Sequence, residues 1–184
     1  NRFENMGRAN SFVSYDTPWA EAGSAPFQRH KTYTREGGVT APMIIAGPGI
    51  HGAGSISSAY ITVMDLAPTF LELADANYPI EQGIEPMRGE SMVGFLEGSA
   101  PGLHDDDYVT VHSHRGRMLL RKGDWKLTNL DAPFEESKLE LFNLASDPGE
   151  TTDLRKSAPE KFNELLEIWR QERRALGIVL PEDL

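Results

Sequence analysis

Arg29, His30, Lys31 and Arg35 crowd into one short stretch, residues 26–38, of a chain whose formal net charge is −10. A concentrated cation patch in an acidic protein needs an anionic partner, either a carboxylate inside the fold or an anion from outside. Successive side chains of an extended segment diverge, so at most alternate members of 29–31 can face one site. The stretch closes on Glu36-Gly37-Gly38. Glu36 there is read as architectural, pairing with a cation or capping backbone donors. Two further groups could do chemistry. His112-x-His114 would share one face of a strand and invites a metal, but no third ligand is evident. Asp105-Asp106-Asp107 is read as a solvated charge run, because it lacks the spaced oxygen ligands of a dedicated calcium loop.

These residues need elements to hold them. Residues 1–25 show no clean period and read as a loop packed by Phe3, Phe12, Tyr15 and Trp19, with a helical turn near Trp19–Ala22. Gly37-Gly38 predicts a sharp turn. Val39–Ala46, with its continuous Met43-Ile44-Ile45-Ala46, reads as a strand buried on both faces. Thr62–Ala74 predicts an apolar-faced helix with Thr62 and Asp65 in a capping box and Pro68 near its first turn. Glu90–Leu96 predicts a short helix. Residues 97–106 read as a linker. Beyond it, Tyr108–His112, Arg117–Leu120 and Trp125–Thr128 read as strands, the last two joined as a hairpin through Lys122-Gly123-Asp124. Leu139–Leu144 adds another strand, and Asp147-Pro148-Gly149-Glu150 is a strong turn. A final helix is expected from Ser157, capped by Ser157 and Glu160, with Phe162, Leu165, Leu166, Trp169 and Leu176 on one face.

Bulk composition narrows the classes. The 184 residues include no cysteine, which excludes a disulfide framework, a thiolate zinc site and a thiol nucleophile in this chain. The negative charge argues against nucleic acid and against an anionic membrane surface. No apolar run is long enough to span a bilayer. Compartment is not legible; cytoplasm and periplasm both stay open.

Several stretches together resemble the C-terminal part of a type I sulfatase, of the arylsulfatase family in the alkaline-phosphatase-like superfamily. They are Trp19-Ala20, Pro26-Phe27, Lys31 with Glu36-Gly37-Gly38 and Pro42, and Asp65-Leu66-Ala67-Pro68-Thr69 with Leu71 and Leu73-Ala74. Arg88-Gly89-Glu90-Ser91, Arg121-Lys122-Gly123-Asp124-Trp125-Lys126-Leu127 and Leu141-Phe142-Asn143-Leu144 with Asp147-Pro148-Gly149-Glu150 follow in the same order. Asn5-Met6-Gly7-Arg8-Ala9-Asn10-Ser11-Phe12 is similar to the bacterial arylsulfatase branch.

The resemblance implies an α/β fold, the end of a large mixed-sheet α/β domain (1–103), followed by a small α+β domain (104–184) with an antiparallel sheet and a C-terminal helix. It implies a sulfuric ester hydrolase in which Lys31 contacts the substrate and aids catalysis; from their shared strand face alone, His112 and His114 are further substrate-side candidates. It also implies a formylglycine nucleophile and calcium in the full-length enzyme. The chain has no Cys-x-Pro-x-Arg, no Ser-x-Pro-x-Arg and no Asp-Asn pair, so both groups are expected on a missing N-terminal part, and this chain alone is expected to be inactive and to bind no metal. Expected partners are that missing part, a sulfate ester, and further copies of the chain. The alternatives are a phosphonate or phosphate ester hydrolase of the same superfamily, and a non-catalytic packing or binding module.

Overall fold

The computed structural model describes residues 2–11, 16–80 and 83–180. The chain forms two compact units, one made of residues 1–41 and 109–184, the other of residues 42–108. The second crossing between them lies at residues 108–109. The first crossing, near residue 41, means that the basic stretch belongs with the C-terminal sheet.

In the first unit, a 3-10 turn at Phe3–Asn5 precedes helix α1 (Thr17–Ser24) and a one-turn helix α2 (Glu36–Val39). Phe3 and Trp19 are exposed rather than packed as anchors, and Phe12 and Tyr15 lie outside the described residues. In the second unit, a 3-10 turn at Val63–Asp65 runs into α3 (Leu66–Leu73), and α4 (Val93–Leu96) follows. The Thr62–Asp65 capping box forms as expected. The apolar face of α3 is not covered as expected: Asp65 and Thr69 are buried, while Phe70 and Leu73 are exposed.

The C-terminal sheet carries the core. Strands β1 (Val109–His114), β2 (Arg117–Lys122), β3 (Trp125–Thr128) and β4 (Glu140–Asn143) pair in sequence order, all antiparallel. Arg115 and Gly116, both at positive φ, make the two-residue hairpin turn between β1 and β2, the geometry that matches strand twist. Helix α5 (Pro159–Ala175) lays Phe162, Leu165 and Trp169 on the sheet. There they meet Met118, Leu120, Leu127 and Leu141, the inward members of the period-two alternation. The expected Ser157 capping box is absent. Ala158 is the N-cap without a side-chain bond, and the Ser157 hydroxyl donates back to the Leu154 carbonyl at 3.2 Å.

The strand expected at Val39–Ala46 does not form. Thr40 to Ala46 forms no regular element and joins no strand pair among the described residues, with Ile44 94% exposed. An apolar run makes a strand only where a neighbour supplies the ladder, and no described residue does so here. Among the described residues no helix is long and apolar enough to cross a membrane.

Candidate functional site

The face of the sheet opposite α5 is polar. Register places Thr110, Arg121, Lys126 and Phe142 side by side on it, with His112, Leu119, Thr128 and Glu140 in the next row, since directly paired residues of antiparallel strands share a face. The basic stretch sits on this face. The Arg35 guanidinium lies 4.3 Å from the Phe142 ring centroid and donates to Glu140 at 2.6 Å. Arg117 lies 4.7 Å from the Tyr33 ring, and Arg29 approaches the same ring at 5.4 Å. The Thr34 hydroxyl donates to the Asn129 carbonyl at 2.8 Å.

Lys126, only 1% exposed, projects into this layer. Its Nζ donates to Glu36 Oε1 at 2.6 Å and stands 2.9 Å from Glu150 Oε1. The other Glu150 oxygen accepts the Glu36 backbone N–H at 2.6 Å. Burial alone would raise the Glu36 pKa. The Lys126 ammonium and the Lys126 and Thr40 hydrogen bonds outweigh burial and hold the carboxyl below its usual range. The architectural reading of Glu36 is therefore the one the geometry supports. Glu150, at φ +53°, closes the 147–150 turn. That turn is thus a device for aiming a buried carboxylate as well as a reversal of the chain, and its composition gives no sign of this second role.

The two glycines have a close-packing role. A Cβ on Gly37 would stand 2.3 Å from the Arg29 carbonyl oxygen, and one on Gly38 would stand 2.2 Å from that of Tyr33. Only glycine lets the 28–33 loop lie this tightly against the turn. Gly37 N–H donates to the Gln28 carbonyl at 3.1 Å. Gln28 Nε2 donates in turn to the carbonyls of Gly149 and Glu150, each at 3.1 Å.

Lys31 sits at the exposed crest of this loop, between Arg29 at φ +68° and Thr32 at φ +84°. Among the described residues no hydrogen bond or ion pair engages its ammonium. Arg35 is consumed by Glu140, and Arg29 reaches Glu21 at 3.4 Å. His30 meets Tyr33 edge-on at 5.2 Å. Among the described residues Arg29 and Arg35 thus have internal carboxylate partners, Lys31 has none, and His30 Nδ1 is buried without a hydrogen-bond partner. On β1, Thr110 is buried while His112 and His114 are exposed on the face that receives the loop. Desolvation, then the Lys126 ammonium, hold the His112 imidazole below its usual pKa, which keeps it neutral at pH 7. No bond between either histidine and Lys31 is formed.

In the other unit, Asp65 is fully buried and organises its surroundings. It accepts the Thr62 N–H at 2.6 Å and the Glu90 N–H at 2.9 Å, and His104 Nε2 stands 3.0 Å away. The His104 ring stacks on Tyr108 at 3.6 Å. Burial, then Asp65, Tyr60 and Glu90, push the Tyr108 phenol up to about 12. Neither His104 nor Lys126 was singled out from the sequence as a functional candidate, because each gains its meaning from partners remote along the chain.

Among the described residues no group of three or more His, Asp or Glu side chains is gathered to hold a metal ion. Asp107 N–H donates to Asp105 Oδ1 at 2.9 Å, an ordinary turn contact. The described residues gather no calcium site, the sequence holds no Cys-x-Pro-x-Arg or Ser-x-Pro-x-Arg motif, and no chemical step is assigned through either group.

The described fold is a four-stranded antiparallel sheet backed by a C-terminal helix, with a glycine turn on its polar face. The sequence matches the family model described as N-sulphoglucosamine sulphohydrolase, C-terminal, over residues 27–172, and the chain belongs to that family. It is 34% identical over 187 residues to an uncharacterized sulfatase of Schizosaccharomyces pombe, an alignment covering 100% of this chain and 34% of that protein. It is 40% identical over 96 residues to an arylsulfatase of Klebsiella aerogenes, covering 50% of this chain and 21% of the relative. The crystal structure of Ps i-CgsB superposes with a TM-score of 0.66 at 25% identity, covering 80% of this chain and 32% of that one. The chain thus spans about a third or less of the length of these relatives.

Proposed function

We propose that this chain is the C-terminal part of an arylsulfatase-like sulfuric ester hydrolase and that Lys31 contacts the sulfate group. Residues 1–103 would close a larger α/β domain and residues 104–184 would form the small one, with the nucleophile and calcium carried by the N-terminal part. The observation that carries this reading is the solitary state of Lys31. Among the described residues Arg29 and Arg35 are engaged by Glu21 and Glu140, while no hydrogen bond or ion pair engages the Lys31 ammonium on its loop. A compact point charge so held suits a sulfate oxygen near the leaving group, where negative charge grows as the S–O bond breaks. His112, neutral and exposed on the same side, is assigned to the substrate side as a hydrogen-bonding group, and His114 with it.

The test is turnover of an aryl sulfate by the full-length enzyme carrying Lys31→Met. We expect kcat to fall about 100-fold, the scale of losing one well-aimed electrostatic donor. Because Lys31 is exposed, stability should move by less than about 0.5 kcal/mol. Unchanged kcat/KM would overturn the role of Lys31. Turnover of the matching aryl phosphonate equal to or above that of the sulfate would overturn the sulfatase assignment.

A further inference from the structure

The buried ion cluster has a role that stability does not explain. Arg35 and Lys126 face Glu36, Glu140 and Glu150 in one layer, and Lys126 and the Glu150 side chain are almost wholly shielded from solvent. Desolvating such a group costs about as much as its pairing returns, so a buried ion pair is weak evidence for net stabilisation. Losing either carboxylate would leave charge buried and uncompensated, so the cluster favours the one arrangement in which Glu36 and Glu150 both meet Lys126. Lys126 Nζ bridges carboxylates from two separate loops, Glu36 of the glycine turn and Glu150 of the 147–150 turn. Gln28 ties the far end of the lysine loop to that same second turn. Between these two fastenings the backbone holds Arg29 and Thr32 at positive φ, a conformation that persists only where surrounding structure over-determines it.

We propose that Lys126 is a positioning residue for Lys31: through Glu36 and Glu150 it locks the Glu36-Gly37-Gly38 turn on the sheet, and that turn sets where the Lys31 ammonium stands. The small C-terminal sheet is on this account part of the catalytic apparatus. The proposal rests on Lys31 being the substrate contact.

The test is a double-mutant cycle in the full-length enzyme, with kcat and KM on an aryl sulfate for Lys126→Met, Lys31→Met and the pair, and folding checked by circular dichroism. A displacement of roughly 1 Å at a reacting group costs up to about 100-fold. We therefore expect Lys126→Met to lower kcat by about 10- to 100-fold, with KM changed by less than about threefold, the pattern of an interaction made in the transition state. In the Lys31→Met background the same substitution should have no further effect on kcat. Should Lys126→Met fail to fold, Glu150→Gln takes its place. It keeps an acceptor for the Glu36 N–H, removes the charge facing Lys126, and must show the same non-additivity with Lys31→Met. Full kcat in the folded variant, or losses that multiply with those of Lys31→Met, would overturn the proposal while leaving Lys31 as the contact. Full activity of Lys31→Met would instead remove the reading on which the proposal rests.

Discussion

The Lys126 ammonium stands 2.6 Å from a Glu36 carboxylate oxygen across 90 residues of sequence. This one bond joins the glycine turn to the third strand of the sheet and explains why a buried lysine is tolerated. Its environment also makes the Glu36 carboxyl a reporter of pH.

The folded pKa of Glu36 is depressed relative to its ordinary value of 4.5. Its unfolded form therefore takes up a proton first as pH falls. The stability it contributes is present above about pH 4.5 and lost as pH drops from there through the lower folded value. Thermal melts between pH 7 and pH 3 should show the wild type losing Tm more steeply than Glu36→Gln in the acid range. Parallel curves for the two proteins would contradict the linkage.

Gly38→Ala should be poorly tolerated. Its new Cβ would meet the Tyr33 carbonyl oxygen at 2.2 Å and that of His30 at 2.6 Å, both rigid backbone atoms. Relief requires the lysine loop to move, at a cost of about 1–3 kcal/mol. Denaturant unfolding reads that cost, and turnover by the full-length enzyme should fall together with it.

Trp169→Ala tests the other face of the sheet. Trp169 is fully buried and its ring lies 5.7 Å from that of Phe134. Truncation should cost about 3–5 kcal/mol in urea unfolding. A loss below about 1 kcal/mol would mean that α5 does not seal the core.

The exposed Met43, Ile44 and Ile45 have a consequence in solution. Expressed by itself, this chain should self-associate, because such a run is an open template for another strand. Light scattering should give a mass that rises with concentration, and Ile44→Lys should reduce the rise. A clean monomer with one cooperative unfolding transition is the contrary result.

The sheet and α5 were legible because their signals are local. The alternation of Met118 and Leu120, and the Phe162, Leu165, Trp169 spacing, each lie within one element. The Thr62–Asp65 box was legible for the same reason. Ser157–Glu160 carries the same spacing without the bond, since Ala158 takes the N-cap position. Thr40 to Ala46 failed as a strand because pairing depends on a neighbour, which the apolar run itself does not reveal. At the site, the proposed role of Lys31 was reachable through the family resemblance, by its place ahead of Glu36-Gly37-Gly38. What holds that loop was not, because Glu36 meets Glu150 across 114 residues, and no periodicity reports a contact of that range.

That separation also orders events during synthesis. Residues 42–108 form a unit with its own contacts and can collect them as soon as they emerge. The lysine loop cannot be completed until Lys126 and then Glu150 have been made, and closing a chain of this length is a slow, entropically costly step. A message cut short before the 147–150 turn would thus yield a protein with its lysine present and unplaced. The 147–150 turn, whose Glu150 is made 114 residues after Glu36, acts as a completeness check on the lysine loop.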